Sequence, residues 1–228
     1  MTEEKWLTCQ DPVRLLAHLA RPACDRKLLL YAVACCRAHW HLLTHASSRE
    51  AVDWAERFAD GAVPRDEESD LLVWQSEGAA FHCEALAERD DIAEWAEGRD
   101  SDLTRLSGRI TRDRSAAVAA AYLANQLMAS DTTGPTLSRY ERLLLVQPLR
   151  DIFGNPFRPV TFSLSWRTDT AVALARQMYE SREFGAMPIL ADALQDAGCT
   201  EPAILDHCRA SGEHVRGCWV VDLVLGKE

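Results

Sequence analysis

Apolar residues recur along most of this chain at intervals of three and four, the spacing that lines one face of a helix. Between Leu28 and His45 the positions Leu29, Val33, Cys36, Trp40 and Leu43 share one apolar face. Leu28, Ala32, Cys35, His39 and Leu42 share the next, and Arg37, His41 and His45 form a polar stripe. Punctuation fits the period. Asp11-Pro12 reads as an N-cap followed by proline at the first helical position, and Asp25 as the cap of a helix running to about His45. Ser47 and Glu50 read as a capping box for a helix that Gly61 ends. A long acidic helix is expected from about Asp66 to Glu97, stopped by Gly98, and an alanine-rich one from Ser115 to Ala129. Ser138 and Glu141 open another, which Pro148 should kink or restart. Further helices are expected at Thr168–Ser181, Met187–Ala197, Thr200–Ala210 and His214–Leu225.

Two segments break the rhythm. Phe153 to Pro159 carries two prolines and a glycine and reads as an ordered crossing loop with both phenylalanines packed inward. Val160 to Leu164 has a strand-like texture. The expectation is therefore an all-α fold, a compact domain of about 8–10 helices over residues 1–228. Residues 131–135 are the best candidate for a weak subdivision.

Composition narrows the function classes. A chain of 228 residues with 47% hydrophobic and 26% charged residues is an ordinary globular protein. At this size roughly 70% of the unfolded surface can be buried, so a core needs neither metal nor disulfide. The net charge of −10 is concentrated: Asp66 to Asp102 holds 13 acids and two arginines, and the rest is near neutral. That disfavours a nucleic-acid partner. The run Arg105, Arg109, Arg112, Arg114 reads as a solvated helix start. The start M-T-E-E-K-W has no apolar leader, and the longest apolar run, Leu28 to Cys36, is nine residues, so no membrane partner is expected. The expected compartment is cytoplasmic, where the eight cysteines would be thiols.

The densest chemistry lies between Cys199 and Cys218, which also holds His207, Cys208 and His214. Thiolate and imidazole are zinc's preferred ligands. Cys199, Cys208, His214 and Cys218 are the candidate set, with Cys35, Cys36 and His39 as contributors if the fold brings them near. Against it stands the absence of a C-x2-C knuckle. Cys35 and His39 are an i,i+4 pair, which fits two buried core groups as well as two ligands. His82 falls on a face with Leu71, Gln75, Gly78 and Ala85 that reads as core-directed. Cys208 beside His207 or His214 is the one nucleophile–base pairing. No nucleotide-binding, hydrolase-elbow or zinc-protease motif occurs. Leu190 to Cys208 has the rhythm of a helix-turn-helix, but its second helix carries acids where a reader of bases needs Arg, Asn or Gln.

Four strings, D-R-K-L-L-L-Y-A-V-A-C-C-R-A-H-W-H-L-L-T, L-R-D-I-F-G-N-P-F-R-P-V, M-P-I-L-A-D-A-L-Q-D-A-G-C and H-C-R-A-S-G-E-H-V-R-G-C-W-V-V-D-L-V-L-G-K, resemble a large paralogous family of planctomycete proteins. The resemblance spans about Trp6 to Lys227 and covers Cys35, Cys36, His41, Cys199, His207, Cys208, His214 and Cys218. It implies no reaction, ligand or catalytic residue. Pro148 is a local departure from the pattern.

The chain thus reads first as a non-enzymatic interaction or regulatory module, its acidic 66–102 segment facing a basic protein partner. The alternatives are a zinc-type metalloprotein and a thiol-dependent enzyme using Cys208.

Overall fold

The computed structural model describes residues 1–19, 25–97, 120–124 and 143–227. It is all-α, with no strand among the described residues. The expected helices at Ser115–Ala129 and after Ser138 lie largely outside the described residues, apart from a helical 120–124. The chain divides into two compact units, Met1–Tyr31 with Leu145–Glu228, and Ala32–Leu144.

The first unit contains α1 (Glu3–Thr8), α2 (Pro12–Leu19), the start of α3 (Asp25–Ala38), α6 (Val146–Phe153), α7 (Asp169–Ser181), α8 (Met187–Asp196), α9 (Pro202–Arg209) and α10 (Trp219–Leu225). The expected cap at Asp11 holds, and the structure adds one at Thr168. Asp11 Oδ1 accepts from Arg14 N at 3.1 Å, and Thr168 Oγ1 from Ala171 N at 3.2 Å. Pro148 falls in the first turn of α6, where its missing N–H costs no helical bond, so the helix starts afresh at Val146. The core gathers α7, α8, α9 and α10 around Met178, Leu190, Leu194, Ile204 and Val221, all at most 1% exposed. A buried ion pair ties three helices into it: Arg26 of α3 meets both Asp222 oxygens of α10, at 2.7 and 3.1 Å, and donates to Tyr179 Oη of α7 at 2.7 Å. Arg150 of α6 donates to the carbonyls of Trp6 and Cys9, satisfying the C-terminal end of α1.

Three expectations here need correction. Val160 to Leu164 is not a strand; it is irregular chain leading into a 3-10 turn, Leu164–Trp166. Phe153 and Phe157 are only half-buried, and Phe157 stacks on His18. The helix expected from His214 begins only at Trp219, because residues 214–217 form a turn around a buried carboxylate.

The second unit holds the rest of α3, a 3-10 turn at Trp40–Leu42, α4 (Ala46–Ala59) and α5 (Glu67–Glu97). Here α3 ends at Ala38 rather than near His45, since His39 Nδ1 lies 2.9 Å from Cys35 O and ties the ring to a carbonyl of the last turn. Ser47 makes no capping box: His45 is the N-cap of α4, and Ser47 Oγ donates to Gln75 O of α5. Gly61, at φ +67°, follows α4 as expected. Arg37 bridges to Asp53 and to the buried Glu56 of α4, and the guanidinium groups of Arg37 and Arg49 both sit over the Trp40 ring. Helix α5 follows the expected acidic helix closely but turns the other way. Ser69, Ser76, Ala79 and Ala80 are buried, whereas Leu71, Gln75, Gly78 and His82 face out. Small residues fill the buried side of α5, with Leu72 and Val73 half-buried beside them.

Candidate metal centre

Four side chains from four segments meet inside the first unit. Asp151 comes from α6, His207 from the last turn of α9, His214 from the turn that follows, and Cys218 from the N-cap of α10. Their donor atoms all lie within 4.8 Å of one another.

The sequence builds this convergence locally. On α6, Asp151 lies between Leu149 and Ile152 on the buried side, so its carboxylate goes into the core with them. The turn 214–218 then folds round that carboxylate. His214 Nδ1 lies 2.6 Å from Asp151 Oδ1, and Val215 N donates to Oδ2 at 2.8 Å. Gly217 closes the turn at φ +93°, where a Cβ would stand 2.9 Å from Leu30 Cδ1. Only glycine meets both demands without strain, and the next residue is Cys218. Gly154 plays a related part below the site: its backbone lies against the Trp219 indole, a Cβ there falling 3.3 Å from the ring. Trp219 in turn packs against His207, ring centroids 5.1 Å apart.

The donors form a closed set. His207 Nε2 is 3.2 Å from Asp151 Oδ1 and 3.2 Å from Cys218 Sγ, and Cys218 Sγ is 3.8 Å from His214 Nδ1. The side chains of Asp151 and His214 are 0% and 6% exposed, and that of His207 is 19% exposed. Burial alone would raise the Asp151 pKa; hydrogen bonds from His207 and His214, then their charge, outweigh it and leave the carboxyl below its ordinary value. Burial, then the Asp151 charge, pushes the Cys218 thiol well above its ordinary value. His214 Nε2 is buried with no hydrogen-bond partner. A neutral His214 is therefore best served by the tautomer with its proton on Nδ1, shared with Asp151.

Of the residues expected as ligands, the fold brings His214 and Cys218 into this group. Cys199 and Cys208 are buried in the adjoining core, and Cys208 is pushed up to about 12 by burial, then by the charges of Asp151 and Cys199. Cys35, Cys36 and His39 lie in the other unit, the two thiols buried. Sequence reasoning passed over Asp151 and set His207 aside for its neighbour. Adjacent helix positions point about 100° apart, so His207 and Cys208 cannot both face one site. Ile204 and Cys208 share the core face of α9, and that spacing assigns His207 to the other side. For Asp151 the signal was an acid between two core residues, Leu149 and Ile152.

Comparison with protein-family models, with curated proteins and with solved structures gave no match.

Proposed function

We propose that this protein is a metal-binding helical module that holds one zinc ion through Asp151 Oδ1, His207 Nε2, His214 Nδ1 and Cys218 Sγ. The observation that carries this reading is the mutual spacing of those four atoms. Ligands bound to one tetrahedral zinc at about 2.0–2.3 Å stand about 3.3–3.6 Å apart. Three of the measured separations, 3.2, 3.2 and 3.8 Å, fall near that range before any adjustment. The fourth, 2.6 Å between His214 and Asp151, is a hydrogen bond that the ion would open, moving the neutral ring's proton to the buried Nε2 at the cost of an unpaired donor there. Two imidazoles, a thiol and one carboxylate suit zinc over magnesium or calcium, which take oxygen ligands.

Four protein ligands leave no coordination position for a substrate, so the ion is structural and the module non-enzymatic. The rival reading of the same atoms is a Cys–His–Asp nucleophile. It needs an accessible thiol with a depressed pKa, and Cys218 is fully buried with its pKa raised.

The test is elemental mass spectrometry of the purified, reduced protein, followed by cobalt substitution. About one equivalent of zinc is expected, with a tetrahedral, sulfur-coordinated cobalt spectrum that Cys218→Ser abolishes and Cys199→Ser leaves intact. A metal-free protein that also fails to take up zinc or cobalt after reduction would refute the reading.

A further inference from the structure

The outer face of α5 carries three large apolar side chains at high exposure, Leu71 (57%), Trp74 (73%) and Phe81 (55%). With Gly78 they occupy positions 71, 74, 78 and 81, spaced three, four, three. That is a/d spacing over one and a half heptads, bounded by acids at the next d positions, Glu67 and Glu88. The assignment is consistent all round the helix. Positions b, c and f of this register include Ser69, Ser76, Ala79 and Ala80, the buried side against α4. Position g is Asp70, Glu77 and Glu84 in successive heptads. Position e is Glu68, Gln75 and His82. So one edge of the seam is acidic throughout and the other carries no fixed positive charge. Phe81 has a neighbour at the end of the seam, the Tyr122 ring at 6.0 Å, and Tyr122 Oη donates to Glu84 at 2.6 Å.

We infer that this face of α5 docks an amphipathic helix from another protein, one with apolar a and d positions and lysine or arginine at its e and g positions. An exposed a/d seam asks for a helix laid along it, by knobs into holes. The charge at the g positions selects a basic flank, since oppositely charged g–e neighbours attract and like ones repel. A second copy of this chain fits poorly in either direction. Antiparallel, the acids at Asp70, Glu77 and Glu84 would face their own counterparts. Parallel, Gly78 would oppose Gly78 and leave an empty layer between layers of paired tryptophan and paired phenylalanine. Nothing lies within 4 Å of a Cβ built at Gly78, so there is room there for a large side chain from a different helix.

The probe is a pair of synthetic four-heptad helices with leucine at a and d, one with lysine at e and g, the other with glutamate. Binding to the full chain is followed by anisotropy of the labelled peptide at low and high salt. The lysine peptide is expected to bind, more weakly as salt rises, and the glutamate peptide to bind at least tenfold less. Trp74→Ala and Glu77→Lys should each weaken the lysine peptide at least tenfold. Trp74 is exposed and Glu77 is half-buried, and unchanged far-UV circular dichroism of both variants would exclude misfolding. The inference is overturned if neither peptide binds, if both bind alike, or if Trp74→Ala makes no difference. It is equally overturned if the protein sediments as a dimer that Trp74→Ala dissociates, which would make a second copy the occupant. Acrylamide quenching of Trp74, taken as the difference between the wild type and Trp74→Phe, closes the last route. Shielding in the isolated protein would mean that the chain covers this face itself.

Discussion

Asp151→Asn separates what the carboxylate does for the fold from what it does for the metal. The change is nearly isosteric and removes one negative charge from a fully buried side chain. Three donors point at the carboxylate: Val215 N at 2.8 Å, His214 Nδ1 at 2.6 Å and His207 Nε2 at 3.2 Å. Asparagine keeps one oxygen and replaces the other with an NH2, which cannot accept. Hydrogen bonds to a charged group contribute about 1.5–3 kcal/mol each, so losing the equivalent of two costs about 3 kcal/mol at least. With a urea m-value near 2 kcal/mol/M, the midpoint should fall by about 1.5 M in the presence of a chelator. The metal contribution is read as a second difference. Zinc at 100 times its Kd should stabilise the wild type by about 2.7 kcal/mol, roughly a further 1.3 M, and that increment should largely vanish in Asp151→Asn. Equal zinc-induced shifts in the two proteins would remove Asp151 from the ligand set. The acid limb supplies an independent check. The folded-state pKa of Asp151 lies below its ordinary value of 3.8, so its stabilisation is present above that value and is lost as pH falls through the depressed folded pKa. In the metal-free state Asp151→Asn should lack that loss.

Zinc affinity should rise with pH by about tenfold per unit near neutrality, because binding must release the Cys218 proton, while a neutral His207 and a neutral His214 each keep one proton on the ring nitrogen turned away from the ion; isothermal titration in buffers of different ionisation enthalpy counts the protons, and a pH-independent affinity would exclude thiolate ligation. Gly217→Ala should destabilise the fold by about 1–3 kcal/mol and weaken cobalt binding together, since the new Cβ meets Leu30 at a positive φ just before Cys218; thermal melts and cobalt absorbance would test both effects. Arg26→Met should cost about 3–5 kcal/mol by removing the guanidinium from the buried Asp222, and adding Asp222→Leu should recover most of it; a double mutant as unstable as the single would show that packing of Arg26, not its charge, matters.

The helical class and several helix ends could be read directly, because a cap such as Asp11 acts through residues three apart in sequence. The errors have a common origin in contacts the local pattern does not carry. Helix α3 stops at Ala38 because the His39 ring bonds to the Cys35 carbonyl. The run His214-Val215-Arg216-Gly217-Cys218 was read as the start of a helix, yet it turns around a carboxylate 63 residues away in sequence. On α5 the face of Leu71, Gln75, Gly78, His82 and Ala85 reads as core-directed, yet the buried positions are Ser69, Ser76, Ala79 and Ala80.

The candidate centre shows the same division between local and distant information. His207, His214 and Cys218 sit within a dozen residues and announce themselves by composition. Asp151 carries no such mark, because a lone acid on a helix is ordinarily solvated. What sets it apart is that its neighbours Leu149 and Ile152 commit its side of α6 to the core, where a carboxylate must find partners. Its partners come from a turn that Gly217 makes without strain and a helix whose last turn presents His207 while Cys208 faces the core. Each donor is thus placed by the packing of an apolar or glycine neighbour. A site built in that way draws its four donors from four segments, which is what the proposed structural ion requires.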